Sequence, residues 1–243
     1  MRLTIKLRNY AAVLMTIVLS AIAVTSCSDS DSQQPDVYCT ALVTYERSTP
    51  APEGSDNNTA TSYFTYYGDN DAMPTTLTAK ANMPSSMKQG QRCILSFIPN
   101  DFANPTATGM VELVRCLNVS TTTMQTAPAA TAQAANAPIN LLYTKGEPQI
   151  KRTGPYINIE AYMPYVEDRT FTIVADENSM QNAIPDLYLT TTASQPVHGI
   201  TNTTIGSIDI QSIWRRMDID GVRIHINNSN PNYPDQTVFE FRK

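Results

Sequence analysis

Apolar and polar positions alternate along most of this chain. The cleanest case is 156–163, where Ile157, Ile159, Ala161 and Met163 fall on one side and Tyr156, Asn158, Glu160 and Tyr162 on the other. Period two is the signature of a strand with one buried face. The same reading predicts strands over 37–45, 62–67, 75–81, 91–98 and 110–119. Between them lie Pro50 and Pro52, a Gly68-Asp69-Asn70-Asp71 turn, and a connector holding Pro84 and Gly90, all residues that break or turn the chain. Five strands within 36–120, with the longer connector between the third and fourth, predict an OB-like five-stranded barrel. From 139 onward, strands are expected at 139–143, 156–163, 170–175, 187–192, 204–210, 222–226 and 237–241. One helical turn over 211–217 would direct Ile213 and Trp214 inward. This second series predicts a C-terminal β-sandwich over 139–243. The stretch 121–138 is rich in Ala and Thr, without charge or apolar period. It reads as an interdomain linker or a long surface loop, with enough Ala for a short helix. The fold class is therefore all-β, a barrel followed by a sandwich.

The N-terminus breaks this pattern. Arg2, Lys6 and Arg8 precede an almost unbroken apolar run over 11–24. A spanning helix needs about 20 apolar residues, so the run suits the core of a secretory signal peptide. It ends in Val24-Thr25-Ser26-Cys27, which resembles a bacterial lipobox. The resemblance implies cleavage after residue 26 and lipidation of Cys27, whose several acyl chains would hold the protein on a membrane. An ordinary signal peptide or a membrane anchor is the alternative. Residues 27–35 then form an acidic, polar tether. An acidic stretch directly after the lipidated cysteine resembles the surface-export signal of some Gram-negative lipoproteins. It implies an outer-membrane, cell-surface address, with a periplasm-facing tether as the alternative.

Charge and cysteine content narrow the partners. Processing would remove three of the 17 basic residues and none of the 22 acidic ones, leaving a balance of −8. No basic block survives, which argues against a nucleic-acid partner. Cys39, Cys93 and Cys116 remain, an odd number in an oxidising compartment. Each lies in a strand-like apolar run, so buried thiols are the simplest account, and one disulfide plus one free thiol is the alternative. Without a CxxC spacing or a neighbouring histidine, no zinc site is expected.

A lipobox, an OB-like block, a linker and a sandwich resemble the NigD-like lipoproteins. The segments that carry the resemblance are Tyr63-Phe64-Thr65-Tyr66-Tyr67-Gly68-Asp69, Met87-Lys88-Gln89-Gly90-Gln91-Arg92-Cys93, Tyr156-Ile157-Asn158-Ile159, Gly221-Val222-Arg223-Ile224-His225-Ile226 and Val238-Phe239-Glu240-Phe241. They are structural rather than catalytic. The family takes its name from a bacteriocin gene cluster and has no agreed activity, so the resemblance implies a fold and an envelope role but transfers no functional residues.

Candidate chemistry is sparse. The two histidines are His198, in a loop, and His225, on a strand, and no Gly-x-Ser-x-Gly elbow occurs; a triad needs an oriented base beside a nucleophile. Glu160, Glu167 and Asp168 flank one expected hairpin, and Asp218 and Asp220 share a turn. A glycan hydrolase needs two such carboxylates across a cleft; solvated strand ends are the simpler account. The Asp-rich turns lack the twelve-residue calcium pattern, so no metal or cofactor is expected. Aromatics are the remaining lead. Tyr63, Tyr66 and Tyr67 crowd one strand, and Tyr156, Tyr162 and Tyr165 lie in or beside another. Outward rings could stack on sugars, although core packing with hydroxyls at the rim is the simpler role. The sequence thus reads as a non-catalytic, lipid-anchored protein that meets an unidentified protein or glycan, with glycan binding through Tyr63, Tyr66 and Tyr67 and a carboxylate-dependent hydrolase as alternatives.

Overall fold

A computed structural model describes residues 26–27, 38–51, 59–68, 73–134, 137–166, 168–193 and 200–243. Residues 1–25, the tether from Ser28 to Pro35, the turn residues Asp69, Asn70 and Asp71, and also Glu167 and His198, lie outside this set; of Ser26 and Cys27 only the backbone is described. The chain divides into two compact units. One runs to Tyr66 and resumes over Thr75–Leu117; the other takes Tyr67–Pro74 and Asn118–Lys243.

The first unit contains β1 (Ser26–Cys27), β2 (Cys39–Thr49), β3 (Thr61–Tyr66), β4 (Thr75–Lys80), β5 (Arg92–Ile98) and β6 (Gly109–Asn118). Its sheet runs β1-β2-β3-β4-β6-β5, and β5 returns to pair with β2. Strands β2 to β6 therefore close a five-stranded barrel, with β4 parallel to β6 and the β2 pairings antiparallel. This is the OB-like order expected from the sequence. The 11-residue β2 makes closure possible: residues 39–44 pair with β5 and 43–49 with β3. Its register slips between Tyr45 and Arg47, a bulge that bends the strand around the barrel. Cys39, Ala41, Val43, Tyr45, Phe64, Leu77, Ala79, Cys93, Leu95, Phe97 and Val111 fill the interior. Arg92 is also wholly buried, and its Nη1 donates to Thr44 Oγ1, its in-register partner, at 3.0 Å.

The second unit contains β7 (Ser120–Thr123), β8 (Gln125–Ala127), α1 (Ala129–Ala134), β9 (Pro138–Ile139), β10 (Tyr143–Thr144), β11 (Glu147–Pro148), β12 (Ile150–Thr153), β13 (Tyr156–Pro164), β14 (Thr170–Asp176), β15 (Asp186–Thr192), β16 (Thr201–Asp209), α2 (Gln211–Trp214), β17 (Gly221–His225), β18 (Asn227–Asn228) and β19 (Val238–Arg242). A four-stranded sheet, β12-β13-β16-β7, and a five-stranded sheet, β19-β17-β15-β14-β8, form a sandwich, with β9–β18 and β10–β11 as small pairs. Its core joins Ile157, Ile159, Ala161 and Met163 to Phe171, Ile173, Leu187, Leu189, Val222 and Ile224. The alternation of 156–163 thus has the expected sense. The turn at 211–217 likewise delivers α2, with Ile213 and Trp214 buried.

The stretch 121–138 departs from its expected role as a linker. It supplies β7, β8, α1 and β9 to the second unit. β7 runs parallel to β16 and β8 parallel to β14. Threonines suit such edge strands, but a parallel partner far along the chain leaves no local turn signal. Strand β12 was not anticipated either.

Candidate binding surfaces

The largest charged network among the described residues lies on the five-stranded sheet of the second unit, and strand register builds it. β15 and β17 run parallel, with Asp186 opposite Arg223 and Tyr188 opposite His225. β17 and β19 run antiparallel, with Arg223 opposite Glu240. Leu187 and Ile224 point into the core, so alternation sends Asp186, Tyr188, Arg223, His225 and Glu240 to the other face.

There the charges form a continuous ladder. His225 Nε2 lies 2.7 Å from Asp186 Oδ1. Arg223 donates Nη1 to Asp186 and Nη2 to Glu240, both at 3.3 Å. Arg242 donates Nε to Glu240 at 2.7 Å. The Tyr188 ring stacks on His225 with centroids 4.7 Å apart and planes 15° apart. Gln133 of α1 reaches the Tyr188 hydroxyl at 3.4 Å. These groups are half-exposed, so each ion pair contributes little to stability. Their effect is to fix a row of donors and acceptors beside β19, the edge of the sheet. The ladder holds acids, bases and a phenol but no serine, threonine or cysteine. Such a row can recognise a polar partner.

A second arrangement surrounds the single tryptophan. Trp214 is nearly buried, with the Arg152 guanidinium 4.1 Å and the Lys243 ammonium 5.7 Å from its ring centroid. Lys243 Nζ also donates to the Arg216 carbonyl. Arg216 forks onto Asp218, with Nε–Oδ1 3.0 Å and Nη2–Oδ2 2.5 Å. That guanidinium holds the Asp218 carboxyl below the usual aspartate range. Asp218 is therefore committed to an ion pair in its turn.

The tyrosines singled out in the sequence go to different places. Tyr63 is half-buried and faces outward, with Arg47, its in-register partner on β2, 5.1 Å above its ring. Tyr66 packs on the barrel interior. Tyr67, in the second unit, packs against Tyr156 with ring centroids 5.8 Å apart and fills the space beside Gly154. Tyr63 and Tyr66 thus face opposite sides of β3. The more open rings are Tyr162, 46% exposed, and Tyr165, 39% exposed, beside Ile200. Thr201 Oγ1 donates to the Tyr162 hydroxyl at 2.6 Å, and the Tyr165 amide bonds the Ile200 carbonyl at 2.9 Å. Glu160, expected at a solvated strand end, is instead wholly buried on β13, while Asp168 is exposed. Of the three cysteines past the lipobox, Cys39 is disulfide-bonded and Cys93 and Cys116 are free. The ladder could have been anticipated only from the parallel register of β15 and β17, which no local motif encodes.

Comparison with solved structures gives this architecture a context. No protein-family model matches the sequence, and no curated protein matches it. A NigD-like immunity protein from Bacteroides caccae aligns over 87% of this chain and 99% of its own, at 14% identity and a TM-score of 0.51. This chain has the NigD-like fold. A protein of unknown function from Bacteroides vulgatus, described as DUF1344, aligns over 85% of this chain and 91% of its own, at 12% identity and a TM-score of 0.59. A putative toxin-related protein from Parabacteroides distasonis covers 85% and 92%, at 13% identity and 0.52. At such identities the likeness is one of fold, and function must be argued from the residues.

Proposed function

We propose that this chain is a non-catalytic lipoprotein of the bacterial outer membrane, anchored through Cys27, exposed at the cell surface and acting by binding a protein partner. The observation that carries the partner is the ladder of His225, Asp186, Arg223, Glu240 and Arg242 with Tyr188 stacked inside it. Alternating fixed charges at a sheet edge select a partner of complementary pattern and speed its docking more than they add raw affinity. The descriptions "immunity" and "toxin related" of two structures with this fold support a protein partner over a small substrate. The apolar run at 11–24 and the lipobox-like Val24-Thr25-Ser26-Cys27 support the anchor, and the negative balance supports a partner other than nucleic acid.

The test is crosslinking on intact cells with the native chain and with Arg223→Glu, which reverses the centre of the ladder but leaves the core untouched. A crosslinked partner lost in the variant supports the proposal. A partner captured equally by both removes this face from the function. In parallel, labelling with a radioactive fatty acid should mark the native chain and not Cys27→Ser.

A glycan ligand is the second reading, favoured by the open rings of Tyr162 and Tyr165. It is tested on a glycan array with Tyr162→Ala and Tyr165→Ala, and with Tyr63→Ala as the barrel counterpart. A saturable hit weakened by the first pair supports it; no hit from folded protein ends it.

A further inference from the structure

Cys93 and Cys116 are the two free thiols among the described residues, and they come from β5 and β6, which are neighbours in the barrel. Cys93 is wholly buried within the barrel core, and Cys116 packs against that core while remaining partly exposed. Strict alternation along β6 would keep them apart. Val111 and Leu113 also pack on the core, so an unbroken period of two would carry Cys116 to the outside. The inward phase slips by one residue between Leu113 and Cys116, while Val114 and Arg115 stay exposed. That slip turns the Cys116 thiol toward the same barrel core that Cys93 occupies on the neighbouring strand, and each thiol perturbs the other's ionisation.

We propose that Cys93 and Cys116 form an oxidation site that closes to a disulfide bridging β5 and β6. The oxidant is a disulfide of the exchange class, carried by an envelope oxidoreductase or by oxidised glutathione. The inference rests on the envelope placement above, because such a bond persists in an oxidising compartment. The partly exposed Cys116 sulfur, as thiolate, attacks one sulfur of the oxidant, breaks its S–S bond and releases one thiolate. Cys93 then gives up its proton and attacks the Cys116 sulfur, forming the internal S–S bond and releasing the second oxidant sulfur. Two protein thiols are oxidised, and one disulfide is reduced to two thiols. The order follows from access and from charge. The interaction between the two thiols draws Cys116 below the ordinary range, whereas the same interaction together with burial pushes Cys93 far above it. Cys116 is therefore the sulfur that ionises and meets the oxidant first.

Two measurements on the full chain separate this proposal from the placement it rests on. Cells expressing the chain are quenched in acid, fractionated and alkylated under denaturing conditions, and the peptides are mapped by mass. The expected result is an envelope-associated protein with residues 93 and 116 joined and with no alkylation at either. Free thiols at both positions in envelope-associated protein would overturn the proposal. Recovery in the cytoplasm would instead defeat the placement, and the pair is then judged by the second measurement. Purified chain is incubated with oxidised glutathione. Joined residues 93 and 116, with the loss of two reactive thiols, support the site. Persistent thiols, stable mixed disulfides, or either residue joined to Cys39 overturn it. Cys116→Ala should leave Cys93 unmodified by glutathione, since the surviving thiol is buried.

Discussion

Gly206 offers the sharpest test of the sandwich packing. It sits buried on β16, opposite Ile159 of β13, and a methyl group built there would fall 2.4 Å from Phe171 Cδ2 and 3.2 Å from Phe171 Cβ. Phe171 is 1% exposed, on β14 of the other sheet. Its ring occupies the space that the missing side chain leaves. In Gly206→Ala two effects oppose each other. Alanine restricts the unfolded chain and gains about 0.5–1 kcal/mol relative to glycine. Overpacking a dense core costs about 1–3 kcal/mol, and the ring cannot swing away cheaply because its Cβ is also close. The clash wins, for a net loss of about 0.5–2 kcal/mol, or several degrees of Tm at about 4 °C per kcal/mol. Phe171→Ala alone should cost about 3–5 kcal/mol. With the ring gone the clash disappears, so adding Gly206→Ala to Phe171→Ala should be neutral or stabilising. Urea denaturation of the four proteins in this cycle gives the coupling, expected at about 1–3 kcal/mol. An equal cost for Gly206→Ala in both backgrounds would refute the claim that Phe171 fills the glycine's space.

Other consequences are as direct. Gly221→Ala should be worse tolerated than Gly206→Ala, because its new methyl would meet the Phe241 carbonyl oxygen at 2.2 Å and backbone cannot rotate aside; faster amide exchange in β17 and β19 is the expected sign, and unchanged protection would count against it. Arg152→Ala should weaken the second unit by about 0.5–2 kcal/mol through loss of the cation–π contact, and the fluorescence of Trp214, the one tryptophan, should shift to the red as its face is opened. The Asp218 carboxyl should titrate below an ordinary aspartate by NMR, and Arg216→Ala should return it to the ordinary range. The sign is that of a depressed acid: any stabilisation is present above the unfolded-state pKa and is lost as pH falls through the lowered one. Because Asp218 is fully exposed, Asp218→Asn is expected to leave the urea midpoint at neutral pH unchanged.

Local patterns foretold much of this architecture. β13 was legible because eight consecutive residues alternate without exception, and β3–β4 because a Gly-Asp turn separates two strand-like runs. The barrel followed from the spacing of its five strands. What escaped was whatever depends on partners distant in sequence. Residues 120–127 carry no apolar stripe, and only pairing with β16 and β14 makes them strands. The charge ladder needs the register of β15 on β17, set by core packing of Leu187 and Ile224 rather than by Asp186 or His225 themselves. The bulge in β2 puts Tyr45 inside the barrel and Arg47 outside, where it covers Tyr63. Cys116 faces its partner only because β6 breaks its own alternation. Composition could count these residues but could not aim them.

The position of β7 and β8 dictates when the sandwich can form. A single stretch lays Ser120 to Thr123 against β16 in one sheet and Gln125 to Ala127 against β14 in the other, so it stitches both layers from the start of the unit. Its partner β16 is synthesised far later, and β19, later still, is needed on β17. The barrel strands have all their partners by Asn118. During synthesis the first unit can therefore complete while the second waits, its early strands held open until Thr201–Asp209 arrives. Such long-range closure is slow, and it makes the sandwich the part of this protein most exposed to aggregation or proteolysis before it is complete.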